Sequence, residues 1–407
     1  MIRILILFIL FSNLKLTSQS LGLVTIYNTS NSSIISNEIN CLEFDNQNNL
    51  WIGTPSGLNI LEEDGSWSYF NIDSVTNTEN NNITCLEYTT TLTPKMYIGT
   101  NSGIISSSIN LWEVNKGWEC HPNNGTINAI SCDSGLWVGT TEGLCFETIE
   151  TKSGWGLDNI KSGFYSNNIT SIKHNNSTNK TVIGTMNGGL VIYDETGFDV
   201  YYSSNSGILD NTIWDLAFDE NNNLILCTPQ AGMGILTNNG SWIWLNTINS
   251  TIASNSLKKV VVDNNNSIWI SSLESGLIEY TNNSFYTYNT ENSELPDNTI
   301  KSLLVGPNNN LWIGTQSNGL IKATINNNIA NDLQKTIASH ATVFDSYISL
   351  KGVMSKAVLI FNQQGQLVKI SLNHNSDSIK INTANFKPGL YFAHILGESK
   401  VQKLIKY

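Results

Sequence analysis

Arginine is almost missing. The 407-residue chain has one, Arg3, so the rest takes its positive charge from lysine alone. Charge of either sign is scarce, at 13% of residues, and the formal balance is −12. With no guanidinium forks to grip phosphates and an acidic balance that repels them, nucleic acid is excluded as a partner. Histidine is scarce as well. Only His121 and His174 precede the last quarter of the chain, where His340, His374 and His394 follow. The strand pattern below keeps the first two apart, so it offers no histidine base or zinc triad, which needs its groups within bonding distance. Apolar runs are short. The longest, Ile4 to Phe11, falls well below the ~20 residues of a spanning helix, so no transmembrane span is expected.

The six cysteines form no framework. Cys41 and Cys85 occupy the same place in successive repeats, with Cα atoms expected beyond the ~7 Å bridging limit. Cys227 stands where a small buried residue is wanted, and Cys120, Cys132 and Cys145 cluster where one bridge is open. What the chain has instead is Asn, Ser and Thr, residues of turns and strand edges, which argues against long helical bundles.

Residues 1–20 read as a secretory signal peptide: one early cation, a short apolar run and a small-residue end. Beyond it, charge is uneven. Residues 21–330 hold 29 acids against 10 Lys, and residues 331–407 hold 9 Lys against 4 acids. The change of sign predicts a domain boundary near 330.

A nine-residue phrase, LWIGTPSGL at Leu50–Leu58, returns as MYIGTNSGI, LWVGTTEGL, VIGTMNGGL, LILCTPQAGM, IWISSLESGL and LWIGTQSNGL. The position of Trp51 recurs at Tyr97, Trp137, Val182, Ile225, Trp269 and Trp312, in steps of 46, 40, 45, 43, 44 and 43. In each unit an apolar strand such as INCLEF or IWDLAF leads to an Asn/Asp turn, the WIGT strand, a Gly turn and a GL strand. An aromatic fourth strand such as GSWIWLN closes the unit. Four antiparallel strands per ~44 residues predict a β-propeller blade, seven times over. The seventh unit has no fourth strand of its own, and LVTIYNTSNS from Leu23 matches the missing one. The fold expected is therefore all-β: a seven-bladed β-propeller over 21–327 closed by the N-terminal strand, which hides the open edge.

These phrases resemble the two-component regulator propeller repeat over roughly residues 22–327. The resemblance implies an extracytoplasmic sensor-like propeller that recognises glycans. The chain departs from that plan in having no kinase, no second propeller and no spanning helix, which argues against direct signalling.

After a linker at 328–341, residues 342–407 alternate as a small C-terminal β-sandwich, with a turn at Gly365–Gln366 and a PGLYF turn-strand. This segment resembles the type A C-terminal sorting domain of type IX secretion in Bacteroidetes, through IFNQQGQLVK, Gly389-Leu390-Tyr391 and the terminal Lys403 and Lys406. The PNP motif usual near that domain's start is absent. The resemblance implies export by the type IX machinery to the outside of a Gram-negative cell, secreted or on the surface.

Recurrent Trp residues read as packing between blades. Aromatics outside the repeat grammar are the better sugar platforms, which singles out Phe164 and Tyr165 in KSGFYSNN, and Tyr202. The loops entering the inner strands and the WIGT–GL turns share one face around the central channel. Asp210, Gln230, Glu274 and Gln316, with Thr54 and Thr140, are expected on that same face. Uncharged polar groups with a few acids suit a neutral oligosaccharide or a protein partner. The Asn/Asp turns at 45–49 and 219–223 offer oxygens for calcium, but none matches an EF-hand loop and Asx turns explain them equally well, so no cofactor is assigned. The function expected is a non-enzymatic binding module. A structural adaptor for surface complexes is one alternative. A polysaccharide lyase-like enzyme is another, and it predicts Tyr, His or Lys groups converging with a metal on the channel face.

Overall fold

The computed structural model describes residues 21–22, 24–72, 81–90, 94–108, 111–114, 125–132, 135–148, 154–157, 164–194, 196–325, 342–344, 347–351, 357–362, 367–372, 378–387, 389–395 and 401–406. Two compact units result, Met1–Ile325 and Asn326–Tyr407.

The first unit is a ring of seven four-stranded antiparallel sheets. Blades 1 to 6 each use four consecutive strands. The seventh takes Ile300–Gly306, Asn310–Thr315 and Leu320–Thr324 and adds Val24–Tyr27 as its outer strand, with Val24 opposite Ala323 and Tyr27 opposite Leu320. The N-terminal strand thus closes the ring.

Each WIGT strand is apolar throughout because it is covered on both faces by neighbouring blades. Ile52, Ile98, Ile183, Ile225, Ile270 and Ile313 are fully buried. The glycine of the motif serves close approach. A Cβ on Gly53 would meet Cys41 Sγ and, at 2.6 Å, Ile83 Cγ2, the first inner-strand residue of the next blade. Gly314 holds the same relation to Ile39 of blade 1, so the packing runs unbroken through the closure. In blade 5, Cys227 takes the glycine's place and is fully buried. The motif's threonine clamps the turn that follows. Thr54 Oγ1 donates to Gly57 O at 2.8 Å, and Thr140, Thr185, Thr228 and Thr315 repeat the bond.

The second unit has a five-stranded sheet, in which Thr342–Phe344, Val401–Lys406, Gly389–Ile395, Ala357–Asn362 and Leu367–Leu372 lie in that order. A two-stranded sheet pairs Tyr347–Lys351 with Ser378–Asn382. Val358, Ile360, Tyr391, Ala393 and Leu404 of the first sheet and Ile381 of the second share one apolar cluster.

Candidate functional site

The inner strands of the seven blades surround a channel of about 720 Å³. Five of these strands slip register at their start, between Ile83 and Cys85, Ile127 and Ala129, Ile169 and Ser171, Leu257 and Lys259, and Ile300 and Ser302. The extra residue at each bulge is Thr84, Asn128, Thr170, Lys258 or Lys301, and all five line the channel. A bulge re-aims a side chain at the cost of a ladder bond, and here it builds a belt. Asn40 Nδ2 donates to Ile83 O at 2.8 Å, Thr84 Oγ1 to Ile127 O, Asn128 Nδ2 to Ile169 O at 2.9 Å, and Thr170 Oγ1 to Ile213 O. Each residue thus ties its blade to the next. Between blades 5 and 6 the belt changes character. Trp214 stands at the belt position, and Lys258 Nζ lies 4.6 Å from its ring centroid. Lys301 completes the circle by donating to Glu38 Oε1 and Asn40 Oδ1, both at 2.6 Å.

Four of the ten lysines in 21–330 line this channel, Lys173, Lys258, Lys259 and Lys301, opposite four acids, Glu38, Glu43, Glu87 and Asp215. The acids blunt the exposed backbone of the inner edges. Glu87 Oε1 accepts the Cys132 N–H of blade 3 at 3.1 Å, and Asp215 Oδ2 accepts the Val260 N–H of blade 6 at 3.1 Å. Asp215 also accepts Ser171 Oγ at 2.9 Å and pairs with Lys259 Nζ at 3.7 Å. Desolvation and the nearby Glu87 push the Glu43 carboxyl up to about 8. Lys173 opens onto the channel yet is closely surrounded by protein. Burial pulls its ammonium down, and Glu87, Asp215 and Glu43 together raise it above its ordinary value. Lys258 is lowered to about 8 by burial first and then by Lys259. The bulk acidity of the propeller therefore gives no warning of its interior, where lysines are as numerous as acids.

The sequence-selected residues separate on the loop face. Phe164, expected to be an exposed platform, is a core ring at 5% exposure, edge-on to Phe198 at 5.3 Å. The reason lies in the repeat: Phe164 precedes Ile169 by the same spacing that Ile34, Ile208, Ile252 and Leu295 keep from their inner strands, and all of these are buried anchors. Its neighbour Tyr165 is 59% exposed and meets Tyr202 at 4.8 Å between centroids, so the aromatic pair on the surface is Tyr165–Tyr202. Asp210 and Gln230 come together through the backbone: Asp210 Oδ2 accepts the Gln230 N–H at 3.1 Å while Oδ1 accepts that of Thr212 at 2.9 Å. Glu274 and Gln316 sit in the WIGT–GL turns of blades 6 and 7, their N–H groups given to Ser272 Oγ and Thr299 O. Thr54 and Thr140 are buried turn clamps and present nothing to a ligand. The loops between blades are zipped internally by asparagine. Asn249 and Asn255 Oδ1 accept the N–H groups of Asn246 and Thr247, both at 2.9 Å, and Asn292 and Asn298 do the same for Asn289 and Thr290.

The Asn/Asp turns are Asx turns. Asp45 Oδ1 accepts the N–H groups of Gln47 and Asn49 at 2.9 Å, and Oδ2 accepts Asn49 Nδ2 and the Trp51 indole at 2.9 Å. Asp219 repeats the pattern with Asn221 and Asn223. These oxygens are committed, and the described residues contain no group of three His, Cys, Asp or Glu placed to hold a metal. Half-buried His174 places Nδ1 3.0 Å from Thr181 Oγ1 on its own sheet, and His121 lies outside the described residues. Cys145 is disulfide-bonded, Cys41, Cys85, Cys132 and Cys227 are not, and Cys120 lies outside the described residues. In the tail, Tyr391 is buried and donates its hydroxyl to Lys387 O at 2.8 Å. Gly389 and Leu390 lead the same strand, paired along the backbone with Lys406 and Ile405, and Lys403 stands opposite Phe392.

Trp214 and the channel lysines escaped the sequence reading, although Trp214 carried a signal. In IWDLAF it stands where the other copies have Asn, Thr or Lys, an aromatic outside the repeat grammar.

The two component regulator propeller model matches residues 33–56 and 294–317, and the secretion system C-terminal sorting domain model matches residues 345–407. No curated protein matches the chain. Among solved structures, the extracellular domain of a hybrid two component system from B. thetaiotaomicron superposes with a TM-score of 0.64 at 16% identity, covering 94% of this chain and 57% of that one. PorZ, a surface component of the type-IX secretion system of Porphyromonas gingivalis, gives 0.58 at 15% identity, with 91% and 59% covered. Virginiamycin B lyase from Staphylococcus aureus gives 0.60 at 10% identity, with 74% and 99% covered. The chain thus spans little more than half the length of the first two, and at these identities the likeness is one of fold. Among the described residues no helix is long and apolar enough to cross a membrane.

Proposed function

From two component regulator propeller repeats and a C-terminal sorting domain handled by type IX secretion, which make this chain a secreted or cell-surface propeller of Bacteroidetes, we propose that it is a non-enzymatic binding module for neutral carbohydrate. The observation that carries this reading is the Tyr165–Tyr202 pair on the loop face, with Tyr165 59% exposed. An exposed ring offers a sugar an apolar platform at low entropic cost, since Tyr has few rotamers to lose. Asp210, Gln230, Glu274 and Gln316 lie on the same face and supply polar edges. A protein partner is the second reading, favoured by Leu209 at 59% and Ile248 at 92% exposure on that face.

An array of neutral glycans tests the first reading. Binding is expected, weakened about tenfold or more by Tyr165→Ala or Tyr202→Ala. A folded parent chain that binds no neutral glycan overturns it. Loss of binding to a surface protein in Leu209→Ser and Ile248→Ser would instead support the second.

A further inference from the structure

Lys258 is anomalous among the channel cations. Lys301 has Glu38 at 2.6 Å and Lys259 has Asp215 at 3.7 Å, whereas Lys258 makes no ion pair among the described residues and rests against the face of Trp214. It stands at the bulge that opens the inner strand of blade 6, at the loop-face end of the channel. Its neighbours deepen the imbalance. Lys259 repels it more than Asp215 attracts it, and Lys301 adds to the repulsion. Elsewhere in the channel Glu43, with its carboxyl pushed up to about 8, keeps its proton at neutral pH, which leaves the lining one positive charge in surplus. A half-buried ammonium that lacks a counterion gains most from an anion that enters with it.

We propose that the mouth of the channel is a subsite for a carboxylate-bearing sugar, a uronate, with Lys258 receiving the carboxylate and Trp214 forming the apolar wall beside the ring. The channel, at about 720 Å³, has room for such a residue together with the one attached to it. The chain's lysines are compact point charges rather than forks, which suits a single carboxylate more than a bidentate grip on phosphate. Trp214 supplies what an inorganic anion would not use, an aromatic surface in a place the other blades fill with Asn, Thr or Lys. This subsite does not depend on the Tyr165–Tyr202 pair, and either can fail without the other.

The test compares methyl β-glucuronide with its neutral counterpart, methyl β-glucoside, and with sodium acetate, in ligand-observed NMR titrations of the full chain at low ionic strength. The glucuronide is expected to bind at least about tenfold more tightly than either control, as one charge-assisted contact confers. Lys258→Gln should abolish that preference, and Lys258→Arg should keep it. Lys180→Gln, which removes an outer lysine paired with Asp194 at 3.4 Å, should leave it unchanged. Thermal melts verify folding, which Lys258→Gln should preserve because it relieves repulsion. A glucuronide that binds no better than the glucoside overturns the proposal, as does a folded Lys258→Gln chain that keeps the preference.

Discussion

Glu43 lies where burial disfavours its charge and the acid Glu87 disfavours it further, with Lys173 and the Phe44 N–H, which Oε1 accepts at 3.1 Å, pulling the other way. The folded carboxyl sits at about 8 against an ordinary 4.5, so between those values the folded chain holds a proton that the unfolded chain has released. Stability from this group is therefore lost as pH rises from about 4.5 and levels off beyond about 8. Glu43→Gln removes the loss, and its stability relative to the parent should improve between pH 5 and pH 9 by about 1–2 kcal/mol, discounted for channel water. Urea unfolding at the two pH values measures it, and an unchanging difference would refute it. Single residues were also where the sequence misled. Phe164 and Tyr165 look interchangeable in KSGFYSNN, yet one occupies the buried anchor position of the loop and the other the exposed position next to it. An aromatic at an aliphatic anchor hides the repeat, and only alignment on Ile34, Ile208, Ile252 and Leu295 restores it.

Between elements, the packing unit is the WIGT glycine of one blade against the leading isoleucine of the next. Gly53→Ala drives a methyl into Ile83 Cγ2, and overpacking of that kind should destabilise the ring by about 1–3 kcal/mol. Paired with Ile83→Ala, which opens the space, the double variant should lose less than the sum of the singles. A double-mutant cycle in urea reads this coupling, and strict additivity would refute it. The strands themselves were legible because they obey one grammar at a period near 44, with Gly and Asn turns between. The bulges were not legible. A slip of register leaves no mark in composition, so the inward aim of Thr84, Asn128, Thr170, Lys258 and Lys301 emerged only from strand pairing. The channel lysines were hidden for a related reason, since the net charge of residues 21–330 sums a channel with an outer surface.

On the scale of the whole molecule, ring closure rests on a short strand. Val24–Tyr27 covers the edge of Leu320–Thr324, and Tyr27 stacks on Trp312 at 6.3 Å and meets Trp67 of blade 1 at 5.6 Å. That arrangement was readable in advance, because the seventh unit lacked its fourth strand and the N-terminus supplied a match. Ile26→Pro should break the ladder to Ile321, costing about 3 kcal/mol or more, and should expose an edge that recruits other copies. Size-exclusion chromatography and urea unfolding check both effects, and a monomer of parental stability would contradict them. The same closure sets an order in time. Partners about 300 residues apart must meet before the ring exists, so the first strand of the propeller to be synthesised waits for the last. Until residue 324 has emerged, blades can form locally but the circle cannot lock.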